Sequence, residues 1–231
     1  MGNVGKTKRA FRLLIYLSGL VILAAGITLN AKTTLGVSPI ISVAYSVSQI
    51  WGLNFANVTF FWYGVFIVAE MALHLLRRPP DWKRKLAADG LQVVVSLIST
   101  RFIDLFGTLI PVFETAYPNS FAGSLPGRFL LLLLAILLTG VGAGMSLFTR
   151  IVPNPGDGIV QGISDFTGVS TGMTKNLVDL SCVVLTVALS LLFAGKVIGI
   201  GVGTLTAVLG VGRVVAVFER LFGAKIRTLI S

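Results

Sequence analysis

Ser38-Pro-Ile-Ile-Ser-Val-Ala-Tyr-Ser-Val-Ser-Gln-Ile-Trp51 is the stretch on which the architecture turns. It is apolar enough to enter a bilayer, yet it has only 14 residues, four of them Ser and one Gln. A helix crossing about 30 Å of hydrocarbon needs roughly 20 mostly apolar residues. The segment therefore reads as a short broken helix that enters a membrane without crossing it. Gly156–Phe166 is its shorter counterpart later in the chain.

Around these two segments lie six longer apolar runs: Leu13–Ala31, Ala56–Leu76, Leu86–Phe106, Phe129–Thr149, Lys175–Ala194 and Val197–Phe218. Over the 231 residues, 55% are hydrophobic and 12% charged, with a mean hydropathy of +0.90. That composition excludes an ordinary soluble domain and a disordered chain, and makes the lipid bilayer the expected solvent. The net charge of +10 suits the positive loops of a membrane protein better than a nucleic-acid surface, so no nucleic-acid partner is expected. A single Cys182 and a single His74 give neither a disulfide framework nor a multi-histidine metal site, and no cofactor is expected. The first apolar run lacks a small-residue cleavage site and reads as a retained helix rather than a signal peptide.

The two halves resemble each other. Thr28-Leu-Asn-Ala-Lys32 lies over Ser146-Leu-Phe-Thr-Arg150 at an offset of 118, and Arg101-Phe-Ile-Asp-Leu-Phe106 over Arg213-Val-Val-Ala-Val-Phe218 at an offset of 112. Each of the first pair runs into a Gly/Pro break, Gly36-Val-Ser-Pro39 or Pro153-Asn-Pro-Gly-Asp157. Charge then sets the topology. The clusters Lys6, Lys8, Arg9, Arg12; Arg77, Arg78, Lys83, Arg84, Lys85; and Arg220, Lys225, Arg227 hold 12 of the 19 bases and should share the cytoplasmic side. They do so only if Ser38–Trp51 re-enters instead of crossing. The expected fold is an all-α polytopic membrane protein with two inverted-topology repeats, each of three transmembrane helices plus one short re-entrant helix. Its parts are a basic cytoplasmic N-terminus (1–12), repeat one (13–107), an extracytoplasmic loop (108–127), repeat two (128–222) and a cytoplasmic C-terminus (223–231).

Two broken helices meeting near the midplane imply a polar site there, because irregular backbone at that depth must line a cavity or be buried in protein. Ser38 and Pro39 open the first short helix; Gly156 and Asp157 open the second, where Asp157 either caps the helix beginning at Gly158 or faces the cavity. Helix N-termini favour an anionic or dipolar ligand group. With Tyr45, Lys175 and Thr204, these residues form the expected substrate site. Asp157, Asp179 and Asp104 are the expected ion-coupling acids. Lys175 and Asp179, four apart on one helix face, are either a plain ion pair or a functional one; Arg101 and Asp104, three apart, are expected to neutralise each other. Glu70 and Asp89 are expected at the interface. The runs Gly140-Val-Gly-Ala-Gly144 and Gly199-Ile-Gly-Val-Gly203 read as close-packing surfaces, the second following no strand and so not a dinucleotide fingerprint.

Leu35-Gly-Val-Ser-Pro39 followed by Ile40-Ile-Ser42, the Arg101–Phe106 block, Pro155-Gly-Asp-Gly158, the Lys175/Asp179 pair and Gly199-Ile-Gly-Val-Gly-Thr204 occur in an order that resembles the YczE/YyaS/YitT family of bacterial membrane proteins. The resemblance spans roughly Arg12 to Phe222. It implies a bacterial inner-membrane protein and, for some members, transport or export of small molecules. The functional expectation is a secondary transporter of a small polar or anionic organic molecule, coupled to protons or sodium. A channel or facilitator and a non-transporting accessory protein are the alternatives, and a homodimer is compatible with either. No enzyme is expected, since neither a Cys nor a second His stands near the acids to supply hydrolytic or metal chemistry.

Overall fold

The structure is a computed structural model that describes residues 2–223, with side chains from residue 8 onward. Lys6 lies in α1 without a described side chain, and Lys225, Arg227 and the remainder of the expected C-terminal segment, 224–231, lie outside the described residues. The described chain is all helix and loop: α1 (Gly2–Lys32), α2 (Pro39–Trp51), α3 (Phe55–Arg77), α4 (Trp82–Leu109), the single turn α5 (Phe113–Ala116), α6 (Leu125–Thr149), α7 (Pro155–Thr167), α8 (Thr171–Ala194) and α9 (Val202–Phe218). Six of these, α1, α3, α4, α6, α8 and α9, are long and apolar enough to cross a membrane; the first five predicted spans fall within them and the sixth overlaps α9. The last span begins later than expected. Residues ahead of Val202 form a glycine-rich turn with Gly199 at φ 83°, a backbone that only glycine adopts without strain.

Each half runs long helix, short helix, long helix, long helix. The short helices α2 and α7 have 13 residues apiece, begin with a Pro, and end on a left-handed Gly, Gly52 or Gly168. Pro39 and Pro155 set an offset of 116 residues. The same offset relates the N-cap residues Asn54 of α3 and Ser170 of α8, whose side chains both accept a backbone N–H. It also relates Thr34 (φ 59°) and Arg150 (φ 50°), the left-handed residues at which the chain leaves α1 and α6.

The halves interlock. α1 packs along α6, α2 packs on α8, and α7 packs on α3; α1 also contacts α4, as α6 contacts α9. Glycine permits the α1·α6 approach. A Cβ added at Gly26 would lie 2.5 Å from the Thr139 amide nitrogen, and one at Gly142 would overlap that of Leu23, so the two backbones touch. Arg12 closes one end of the pair, donating from Nε to the Thr149 carbonyl (2.6 Å) and from Nη2 to that of Arg150 (2.9 Å), the last carbonyls of α6. It thus belongs to a helix cap, and α1 continues unbroken through the boundary drawn at residue 12.

The outer faces are apolar. Phe61, Leu76 and Leu192 are all more than 70% exposed, as lipid-facing side chains are. The chain is a membrane protein whose helices contact the bilayer. Inside, buried polar residues are about as numerous as apolar ones among the described residues. Lipid offers no hydrophobic drive for helices to associate, so close packing and interhelical hydrogen bonds take that role. Ser42–Thr186 and Ser46–Ser190, both 2.7 Å, join α2 to α8 in this way.

Two outcomes follow. Gly26→Leu or Gly142→Leu should lower unfolding free energy by about 1–3 kcal/mol in a reversible detergent titration, while Gly64→Ala, where a Cβ meets nothing within 4 Å, should cost nothing measurable. A double-mutant cycle of Ser42→Ala with Thr186→Val should return a coupling of about 0.6 kcal/mol.

Candidate functional site

The extended segments that precede α2 and α7 leave backbone groups that lipid cannot satisfy. The first is held by main chain: Val37 N–H donates to the Gly199 carbonyl (2.9 Å) and Gly203 N–H to that of Leu35 (2.7 Å). Gly201 and Gly203 make this possible, since a Cβ on either would sit 2.5 or 2.6 Å from the Leu35 or Gly36 oxygen. The second is held by side chains, with the Tyr16 hydroxyl donating to the Val152 carbonyl at 2.9 Å.

Between these segments lies a cavity of about 90 Å³ that both short helices face with their N-terminal ends. Its polar lining is Asn30, Ser38, Tyr63, Thr139, Asn154, Asp157 and Lys175, and Gly156 also lines it. Asn154, not Asp157, caps α7: its Oδ1 accepts from Gly156 N–H at 3.0 Å. This corrects the capping reading of Asp157, which stands in the first turn and faces the cavity. Ser38 is the equivalent residue of α2 but makes no capping bond with its side chain, leaving the hydroxyl available to the cavity. The Tyr63 hydroxyl reaches the Asn154 side chain. Lys175 Nζ pairs with Asp179 Oδ2 at 3.4 Å, and Asp157 is within electrostatic reach of both. The buried Asn30 Oδ1 and Asp179 Oδ1 have no hydrogen-bond partner among the described residues. Chemically, the cavity offers one cation, one carboxylate with a second joined through Lys175, hydroxyls and amides beside two positive helix ends.

Of the predicted site residues, Ser38, Gly156, Asp157 and Lys175 line this cavity, with Asp179 joined through Lys175. Pro39 is buried as the first residue of α2. Tyr45 and Asp104 instead line a separate cleft of about 310 Å³ that includes Lys32. Thr204 is a helix-start residue, its Oγ1 accepting from Gly201 N–H at 3.2 Å. Arg101 and Asp104 do not neutralise each other as expected. Arg101 donates to Asn57 Oδ1 and Asp104 accepts from Asn54 Nδ2, both at 2.6 Å, because α3 presents these amides alongside.

The sequence reading missed a second polar cluster. Glu70 and Asp89 are buried, at 4% and 2% exposure, rather than interfacial. His74 Nδ1 lies 2.7 Å from Asp89 Oδ2, and Gln92 Nε2 donates to Glu70 Oε2 at 2.9 Å. The signal was present in the offset of 116, which places Glu70 and His74 at the positions of Thr186 and Ser190. Where α2 carries Ser42 and Ser46 to meet those hydroxyls, α7 carries Gly158 and Gly162, and Glu70 fills the space.

The fold and the polar site thus define a helical membrane protein with six candidate spans and two short helices that line a common cavity. A model of the family of unknown function DUF6198 matches residues 10–220, and the chain belongs to that family. It is 28% identical over 208 residues to the uncharacterized membrane protein YczE of Bacillus subtilis (strain 168), covering 88% of this chain and 84% of that protein. No solved structure matches.

The cavity-lining position of Ser38 yields a simple outcome. In a Cys182→Ser background, Ser38→Cys should react with small thiol reagents far more slowly than Gly52→Cys, which meets nothing within 4 Å. Equal rates would mean that Ser38 does not face an enclosed space.

Proposed function

We propose that this protein is a secondary transporter, acting on a small polar or anionic organic molecule in a bacterial cytoplasmic membrane with both termini inside. The observation that carries the reading is the convergence of both short-helix N-termini, Asp157 and Lys175 on one buried cavity. In this reading α2 and α7 are re-entrant from opposite faces and the halves are inverted repeats, so that rocking one half against the other exposes the cavity alternately. Clefts of about 310 and 600 Å³, lined by residues flanking α2 and α7 respectively, would then be the two vestibules.

A ligand pocket commonly has about 300–1,000 Å³. The cavity's 90 Å³ holds about three waters, so the conformation described would be a collapsed one that must open to admit a substrate. Lys175 would meet the anionic group beside the helix N-termini, exchanging Asp179 for the substrate. Asp157 and Asp179 would carry the coupling proton or sodium ion. A residue pair that repartners on binding gives the ion and the substrate a shared equilibrium, which is what coupling requires.

Purified protein in proteoliposomes, screened with anionic and zwitterionic metabolites under an imposed proton or sodium gradient, tests this. Gradient-driven accumulation is expected. Lys175→Met should weaken substrate binding at least about tenfold, which corresponds to about 1.4 kcal/mol. Asp157→Asn should abolish accumulation while leaving binding. Flux that ignores the gradient and survives Asp157→Asn would instead indicate a channel.

A further inference from the structure

We propose that Glu70, His74, Asp89 and Gln92 form a binding site for one divalent transition-metal ion, with Zn²⁺ preferred over Mn²⁺. Glu70 and His74 are four apart on α3 and Asp89 and Gln92 three apart on α4, so each helix turns two donors toward the same point. Ligand atoms of Glu70, His74 and Asp89 lie within 4.8 Å of one another. All four residues are at least nine-tenths buried.

The charges call for a cation. Neither carboxylate forms an ion pair with a Lys or Arg among the described residues; Asp89 pairs with His74. Two carboxylates and a neutral imidazole sum to −2, which a divalent ion cancels without leaving a buried excess. Independently, Gln92 Oε1 is buried at 0% residue exposure with no hydrogen-bond partner. Turned about its amide, Gln92 would present that oxygen where Nε2 now meets Glu70, as a fourth donor. An imidazole nitrogen with carboxylate and amide oxygens suits borderline ions, and zinc stands above manganese in affinity for such donors.

The surroundings are shaped for it. A Cβ at Gly158 would lie 2.5 Å from Glu70 Oε2 and 2.9 Å from Gln92 Oε1, so α7 is cut back to glycine where the cluster sits. His74 also lines the cleft of about 600 Å³ bordered by Pro79 and Pro80, which gives an ion a route in. Binding requires that the His74–Asp89 hydrogen bond of 2.7 Å open to about 3.3 Å, the edge of a tetrahedron with ligand bonds near 2.05 Å, that the Glu70, His74 and Asp89 ligand atoms, which lie within 4.8 Å of one another, settle at that spacing, and that the Gln92 amide turn. The ion would clamp α3 to α4 directly beneath α7. This site is independent of the transport reading.

The full-length protein in detergent, stripped with a chelator and dialysed against Zn²⁺ or Mn²⁺, should retain one Zn²⁺ per chain by elemental analysis and melt at higher temperature than the stripped form. His74→Ala and Asp89→Asn should weaken retention at least about tenfold, whereas Lys175→Met should bind as the parent does. Glu70→Gln removes a buried charge without changing shape. Metal-free, it should melt no lower than the stripped parent, and it should gain little from Zn²⁺. Co²⁺ substitution should give an absorption spectrum that His74→Ala abolishes. A stripped parent that melts cooperatively and identically with and without either metal would overturn the site, as would unchanged stoichiometry in His74→Ala and Asp89→Asn.

Discussion

Backbone satisfaction is the constraint from which the rest of this structure follows. A chain in lipid has no water to pair with an unpaired amide or carbonyl, so a helix broken at depth must find partners inside the protein. This chain breaks twice, after Lys32 and after Thr149. The first break is met by another stretch of backbone, and that pairing demands the bare glycines Gly201 and Gly203. The second is met by Tyr16 and, at the end of α6, by Arg12, both from α1. Each break is thus stitched by the other half, and the two halves cannot separate fully without exposing unpaired backbone.

The same constraint explains why the core is polar. With lipid outside, association rests on contact distance and hydrogen bonds. Small residues let α1 and α6 touch, and hydroxyl pairs fasten α2 to α8. The two halves have diverged at one instructive place. On α8 the residues facing the short helix are Thr186 and Ser190; on α3 they are Glu70 and His74, and α7 has lost its serines to glycine. A neutral fastening in one half is an ionisable cluster in the other. Such asymmetry lets related halves serve different tasks.

The six long helices were legible because mostly apolar runs near 20 residues have few readings, and the short helices because Ser-Pro and Pro-Gly-Asp breaks interrupt runs too short to cross. Three cavity residues, Ser38, Gly156 and Asp157, were legible for the same reason, lying at those breaks, and Lys175 because an ionisable pair stands out in an apolar run. Tyr45 and Asp104 were not separable from them, since a helix's facing is fixed by its neighbours and not by its own sequence. Thr204 looked like a cavity hydroxyl but is used up in starting α9. Glu70 and Asp89 were misplaced because position near a helix end suggested the interface. Their burial depends on α7 lying across α3, a contact between residues far apart in the chain.

The central claim is that α2 and α7 each enter and leave on one side, from opposite faces. Single cysteines at Gly52, Asn119, Pro80 and Gly168, in a Cys182→Ser background, treated with a membrane-impermeant thiol reagent in intact cells, test it directly. The account predicts that positions 52 and 119 label from outside and positions 80 and 168 only after the cytoplasmic face is opened. Labelling of 52 and 119 from opposite sides, or of 52 and 168 from the same side, would contradict it.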